Sequence, residues 1–436
     1  MFLANLDIMA SFTTAIQKNR NRGSQKILKT LHKKSLLVLI SVCGFFASLS
    51  KYEKDWLKEV PSLISPIQEM RDLGRPLTLI SLLIILVLSV FSFKNIRLSR
   101  IPKAFLFLSL LQAVILVKGC ISGDINLSVS AFLVYSSVVL VFFASSLSLL
   151  NTVQDITLSI LAIVGVGFIF ILVNLCQASV DIYPITFANG YLMGTTGNAQ
   201  HAGMLLVINL PCLLFLIIKS PSMLHRVLWS ALVCMIFVAL AMTSSRTAAI
   251  SGVIGIVLFF RHKIIHTLLA MTFITSFQLF LFPTISNILN LSLKSSTDKG
   301  LSDTRGDVWN SQISGFLEHP IFGVPLDGGR VPFAESSWLG VAYGTGLIGL
   351  VVLVLFAYSC IRMAIKLHVI SSKFPIVKSE CDTVISGIAL LLAGSFSEAY
   401  LVGVLTFTIF ALIQYLLIGQ YIISLHKRRI LHKESL

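Results

Sequence analysis

An all-α polytopic membrane protein of about twelve transmembrane helices is the fold class that this chain of 436 residues predicts. Its residues are 56% hydrophobic and 12% charged, roughly half the charged share of an ordinary soluble domain, so several globular cores could not be covered by a solvating surface. A soluble enzyme is thereby excluded. Mean hydropathy is +0.89, and the apolar residues fall into runs of roughly 15 to 25, the length that spans ~30 Å of hydrocarbon at ~1.5 Å per residue. The 34 Lys and Arg against 19 Asp and Glu are placed so as to orient helices, which accounts for the positive charge without nucleic acid.

Residues 1–34 form a basic tail with seven Lys or Arg and no small-residue cleavage pattern, so the first apolar run, 35–50, reads as a retained anchor. Residues 51–76 balance five bases against five acids around Trp56, Leu57, Val60, Leu63 and Ile64; this is either a surface-lying amphipathic piece or a solvated loop. The runs 77–93, 101–118, 128–149 and 156–176 follow, then 202–218, 226–243, 247–260 and 264–284, so that 35–284 holds helices one to nine. The polar stretch 285–337 is a large loop between helices nine and ten, and such loops are usually functional. Helices ten to twelve occupy 338–424 as the runs 338–359, 383–402 and 404–424, and 425–436 is a second basic tail.

Both termini placed in the cytoplasm give a net of about +18 inside (23 bases, 5 acids) and −3 outside (11 bases, 14 acids). The loop 285–337 is then external. Within it, SDTRGDVWNSQISGFLEHP predicts one amphipathic helix of about four turns, with a cap at Ser302 or Asp303, apolar residues at Val308, Trp309, Ile313, Phe316 and Leu317, and a stop at Pro320. Arg305 and Trp309 are four apart and share a face, with Gln312 following. The seven cysteines are scattered without a C-x-x-C, which implies neither a disulfide framework nor a zinc site.

Polar groups at the outer surface that topology does not need are the candidates for chemistry. Arg246, in AMTSSRTAAISG, lies on the side where bases are disfavoured; it either snorkels to lipid phosphate or forms an anion site. Arg305 and Arg330 are two more external arginines, and a planar guanidinium fork holds phosphate oxygens without ever losing its charge. Glu335 precedes the tenth run, and Glu398 interrupts LLAGSFSEAYLVG, where an ionised acid is poorly solvated; each is a functional group or a helix-end carboxylate. Asp303 and Asp307 read as helix-start charges. His201 has no second ligand at metal spacing, so no metal is expected there. P-loop, G-x-S-x-G and H-E-x-x-H strings do not occur.

Several of these strings resemble segments of the O-antigen ligase and polymerase family of bacterial cell-surface glycan assembly. They are SSRTAAISGVIGIVLFF, a polar turn with Arg opening a helix; Arg305 and Trp309 followed by HPIFGVP (319–325); AESSWLGVAYGTGLIGL (334–350); and GTTGNAQHAG (194–203), similar to a Gly/Asn-rich external turn. The late external loop among about twelve spans resembles the family layout too, so the likeness covers most of the chain.

The resemblance implies a membrane-embedded glycosyltransferase of the C type in the bacterial inner membrane, with its active site facing the periplasm. It would take a glycan from undecaprenyl pyrophosphate without a metal or other cofactor. Arg246 and Arg305 would bind the pyrophosphate and Glu335 would serve as acceptor base, with Arg330, Trp309, Asn198, His201 and Glu398 around the substrate. Family ligases carry a His in the short signature before the Gly-rich helix, where this chain has Glu335-Ser336-Ser337-Trp338, which tilts the expectation toward a polymerase joining lipid-linked repeats. A ligase moving polymer to lipid A-core, or a lipid-linked glycan transporter, is the alternative. Expected partners are the bilayer, the undecaprenyl-pyrophosphate-linked oligosaccharide, and a chain-length regulator and flippase of the same pathway.

Overall fold

The computed structural model describes residues 34–49, 63–91, 101–123, 125–146, 150, 152–180, 192–196, 198–243, 245–263, 265, 305–325, 335–401 and 405–434. The basic tail through residue 33, nearly all of the predicted ninth span, and loop residues 285–304 and 326–334, with Arg330, lie outside the described residues. Among the described residues the chain is all-helical, without a strand. In order the helices are α1 (Lys34–Ser48), α2 (Ile67–Asp72), α3 (Gly74–Phe91), α4 (Lys103–Ile121), α5 (Ile125–Ser146), α6 (Val153–Val180), α7 (Ala199–Ile208), α8 (Leu210–Lys219) and α9 (Met223–Thr243). Then come α10 (Arg246–Phe259), α11 (Gly306–Glu318), α12 (Ser337–Lys373), α13 (Lys378–Ser395) and α14 (Phe407–Glu434).

Six described segments are long and apolar enough to cross a membrane: α4, most of α6, α7 with α8, α9, α12, and α14 through Lys427. The helices α1 and α10 are apolar but shorter; the 14 residues of α10 extend only ~21 Å. The architecture is that of an all-α membrane protein. Its outward-facing leucines, isoleucines and valines on α3, α9 and α12 fit a hydrocarbon surround.

Polar residues inside apolar runs break the predicted spans. The run 202–218 is two helices because Asn209 and Pro211 interrupt it, and Pro211 has no N–H to donate back along the helix. The carbonyl of Ile208 at the break accepts from the Tyr415 hydroxyl at 2.8 Å, while Asn209 Nδ2 donates to the carbonyl of Leu205 at 2.6 Å. Gly167 of α6 and Gly387 of α13 admit the Asn209 and Tyr415 side chains. The last predicted spans also shift: α13 ends at Ser395, so Glu398 lies in the turn beyond the helix rather than within it. Of the expected surface piece 51–76, Trp56, Leu57 and Val60 lie outside the described residues, and α2 is its short helical part.

Charges separate to the two ends of the bundle. At one end Lys219 pairs with Glu380 at 3.0 Å, and Arg261 pairs with Asp382 at 2.7 Å while donating to His368 and Ser371. At the other end lie the starts of α7, α10 and α12, the finish of α13 and the whole of α11. Buried α14 ties the bundle together: Gln414 exchanges hydrogen bonds with Ser41 of α1 and donates to the carbonyl of Leu37 at 3.2 Å.

Candidate functional site

The helix α11 begins at Gly306, with Arg305 in the capping position and no side-chain cap; Ser302 and Asp303 lie outside the described residues. Arg305, Trp309 and Gln312 do share the inward face, and Gln312 is buried. The expected apolar face is not all inward, since Ile313 and Leu317 are exposed.

What fixes α11 is an interlock between two glycine-bearing strings. In α12 the backbone at Gly346 has φ 63° and ψ −155°, which opens the helix. A regular helix would bond Leu347 N–H to the Tyr343 carbonyl, four residues back. Both groups instead bond the HPIFGVP turn: Val324 N–H donates to the Tyr343 carbonyl and Leu347 N–H to the Pro320 carbonyl, each at 2.8 Å. Lys118, near the end of α4, donates to the carbonyls of Phe322 at 2.7 Å and Gly323 at 3.1 Å. Gly323 has φ 73°, and a Cβ there would meet the backbone of Tyr343, Gly344 and Thr345 at 2.6 Å. The turn thus inserts into the helix break, and no backbone donor or acceptor of that broken bond is left unpaired.

Arg305, held at the end of this assembly, reaches two carboxylates and a backbone carbonyl. Its Nε lies 3.0 Å from Glu335 Oε2, its Nη2 lies 2.9 Å from Glu398 Oε1, and its Nη1 donates to the Ser397 carbonyl. Carboxylates 63 residues apart in sequence are thereby bridged by one planar fork. Glu335 sits at φ 59°, a left-handed conformation costly for a residue with a Cβ, just before the cap Ser336 of α12. The turn carrying Glu398 is fixed by Ser337, whose Oγ donates to the Glu398 carbonyl at 2.7 Å and accepts from Leu401 N at 3.2 Å.

A third element completes the cluster. In the orientation that satisfies its neighbours, the Gln200 amide donates to Glu398 Oε1 at 2.7 Å and Ser245 Oγ at 3.1 Å, and accepts from Arg305 Nη2 at 2.7 Å. Thr247 also hydrogen-bonds Glu398. Glu398 is well enclosed, with 11% of its side chain exposed against 39% for Glu335. Burial raises its carboxyl from the usual value to about 7; the Arg305 charge and hydrogen bond oppose that shift and the Glu335 charge adds to it. Beside it opens a small cleft lined by Gln200, His201, Met204, Glu398, Tyr400 and Thr408.

Of the residues that the sequence singles out, Arg305, Glu335 and Glu398 meet directly, and His201 shares the cleft with Glu398. Asn198 acts in the structure as the cap of α7, its Oδ1 accepting from the N–H groups of Gln200 at 2.8 Å and His201 at 3.4 Å. Arg246 is the exposed first residue of α10, while its neighbours Ser245 and Thr247 turn to the cluster. Trp309 is half-buried one turn beyond Arg305. Sequence reasoning missed Gln200, Ser245, Thr247 and Ser337, which are neutral and carry no cost that singles them out at the margin of an apolar run. It also missed the stacked pair Trp338 and Phe396, with ring centroids 4.7 Å apart and planes within 3°, anchored by the indole N–H donating to Ser395 Oγ at 3.0 Å. Among the described residues no three His, Cys, Asp or Glu side chains gather as a metal set.

The chain matches no protein-family model and no curated protein.

Proposed function

We propose that this protein is a polysaccharide polymerase of the inner membrane, transferring a growing glycan from undecaprenyl pyrophosphate to the non-reducing end of the next lipid-linked repeat. The observation that carries the reading is the convergence of Arg305, Glu335 and Glu398 beside a cleft, at the bundle end away from the basic ion pairs. Supporting it are the sequence resemblance and the finding that two of its strings, HPIFGVP and YGTGLIG, interlock to carry that arginine. In full, the reading is of a C-type glycosyltransferase of about twelve spans, both termini cytoplasmic and the site periplasmic.

The chemistry asks for fixed positive charge. A pyrophosphate leaves as a stabilised anion, so guanidinium groups replace the acid that a glycosidase needs for its leaving oxygen. Arg246, exposed at the first turn of α10, adds its charge to the positive end of the helix dipole. Arg305, already engaged by two carboxylates, meets a phosphate by exchanging one of them. Direct attack of the acceptor hydroxyl inverts the anomeric centre. Arg330 is assigned to support the donor on the sequence alone.

Reconstitution with purified lipid-linked repeat, read as product length on a gel, is the test. Wild type should yield a ladder, and Arg246→Ala should lose it by about 10²–10³-fold in rate while remaining inserted and folded. A ladder of wild-type intensity from Arg246→Ala would refute the assignment.

A further inference from the structure

Resting on the glycan-transfer reading, we propose that Glu398, rather than the more exposed Glu335, takes the proton of the acceptor sugar's hydroxyl in the cleft beside α7, with Gln200 as its positioning residue. Four features of the site carry this. Glu398 is the carboxylate that lines the cleft, whereas Glu335 is the outer partner of Arg305. The cleft wall offers a carboxylate, an amide, an imidazole, the Thr408 residue and the Met204 thioether, and its room is that of a single hydroxyl or water, so one hydroxyl of a sugar lying across its mouth would enter it. The Glu398 backbone is locked by Ser337, and its carboxylate is held by Arg305 Nη2 at 2.9 Å and the Gln200 amide at 2.7 Å, so the base is positioned at both its main chain and its oxygens. Its proton affinity matches neutral pH, as a general base requires.

The step balances without a further reactant. The acceptor O–H bond breaks and its proton passes to a Glu398 carboxylate oxygen. The acceptor oxygen bonds the anomeric carbon as the bond from that carbon to the phosphate oxygen breaks. The electron pair leaves on the diphosphate, and Glu398 then returns its proton to water. The charged and titratable groups around Glu398 are Arg305 from the start of α11, Glu335 before α12, His201 on α7 and Tyr400 in its own turn, with neutral Gln200 and Thr247 donating to it.

Gln200 acts on this base through one N–H. Its donation stabilises the ionised carboxylate, so its loss raises the proton affinity of Glu398 and moves the acid limb of the rate to higher pH. A residue that merely packed would lower the amount of folded protein without moving that limb.

Initial rates of polymer formation by the full chain in liposomes, measured from pH 5 to 9, decide the matter. Wild type should lose activity below an apparent pKa near 7. Glu398→Gln should fall about 10²–10⁴-fold and lose the limb, with KM for the lipid-linked repeat changed less than about threefold. Glu398→Asp should keep the limb at reduced rate, and Gln200→Ala should shift it upward. If Glu398→Gln fails to insert, the direction of the Gln200→Ala shift decides alone. A Glu398→Gln enzyme with wild-type rate and limb, or a limb that vanishes in His201→Gln instead, overturns the assignment while leaving the polymerase reading intact. No polymer from wild type at any pH would overturn both.

Discussion

Arg305 touches both carboxylates of the cluster, the Ser397 carbonyl and Gln200, and its worth is geometric as much as electrostatic. A lysine carries the same charge on a single nitrogen and cannot reach Glu335, Glu398 and the Ser397 carbonyl together. Removing the guanidinium leaves two neighbouring carboxylates without their counter-charge, one of them buried; breaking such a pair from one side costs about 3 kcal/mol. Arg305→Ala should therefore lower the thermal midpoint in detergent, and Arg305→Ala with Glu398→Gln should recover part of the loss. Additive losses in that cycle would show that the pair does not interact. Two ionic members of this site were legible in the sequence because each violates a rule: Glu398 is an acid within an apolar stretch, and Arg305 is a base in a loop that the charge count assigns to the outside. Gln200 violates none. Arg246 was the visible residue of SSRTAA, yet the N-terminal turn of α10 directs its two neighbours inward, a consequence of helix phase that no single-residue argument supplies.

Among the elements, α12 shows how a break in a helix becomes a socket. Hydropathy reads residues 338–359 as one continuous span and averages over Gly346, just as it averages over Asn209 and Pro211 in 202–218. The glycines were visible; what they receive was not, because the HPIFGVP turn and the YGTGLIG break are separate in sequence and meet only through two backbone bonds. Gly323, seated in that socket, and Gly123, outside it, separate the two costs of a side chain. Both have positive φ, 77° and 73°, but a Cβ at Gly123 meets nothing within 4 Å. Gly123→Ala should thus lose only the conformational penalty, about 1–2 kcal/mol. Gly323→Ala should lose that and about 1–3 kcal/mol more, because the obstacle is helix backbone, which cannot rotate aside. Thermal midpoints of the two variants give the comparison, and proteolysis of α11 should rise in Gly323→Ala alone. Equal losses would mean that the turn is not seated in the break.

The whole molecule carries its orientation in where the bases gather. Lys219, Arg261 and the stretch 362–378 belong to segments that the charge count puts on one side, and the structure brings Lys219 and Arg261 to Glu380, Asp382, His368 and Ser371 at one end. Lys118 is assigned to the other side, and it binds the turn next to α11, in the assembly that carries Arg305. The fold and the count therefore agree on which groups share an end, although they derive from unrelated observations. The fact that basic loops resist translocation then predicts which end faces the cytoplasm. Cys120, exposed close to Lys118, reports on the end with the cluster, and Lys263→Cys, just past α10, reports on the opposite one. In a background lacking the other cysteines, a membrane-impermeant maleimide added to spheroplasts should label Cys120 and should reach Lys263→Cys only after permeabilisation. The reverse pattern would place the Arg305 cluster in the cytoplasm, where a base near the bilayer follows the topology rule and needs no anion to account for it. The diphosphate assignment would then lose its first premise.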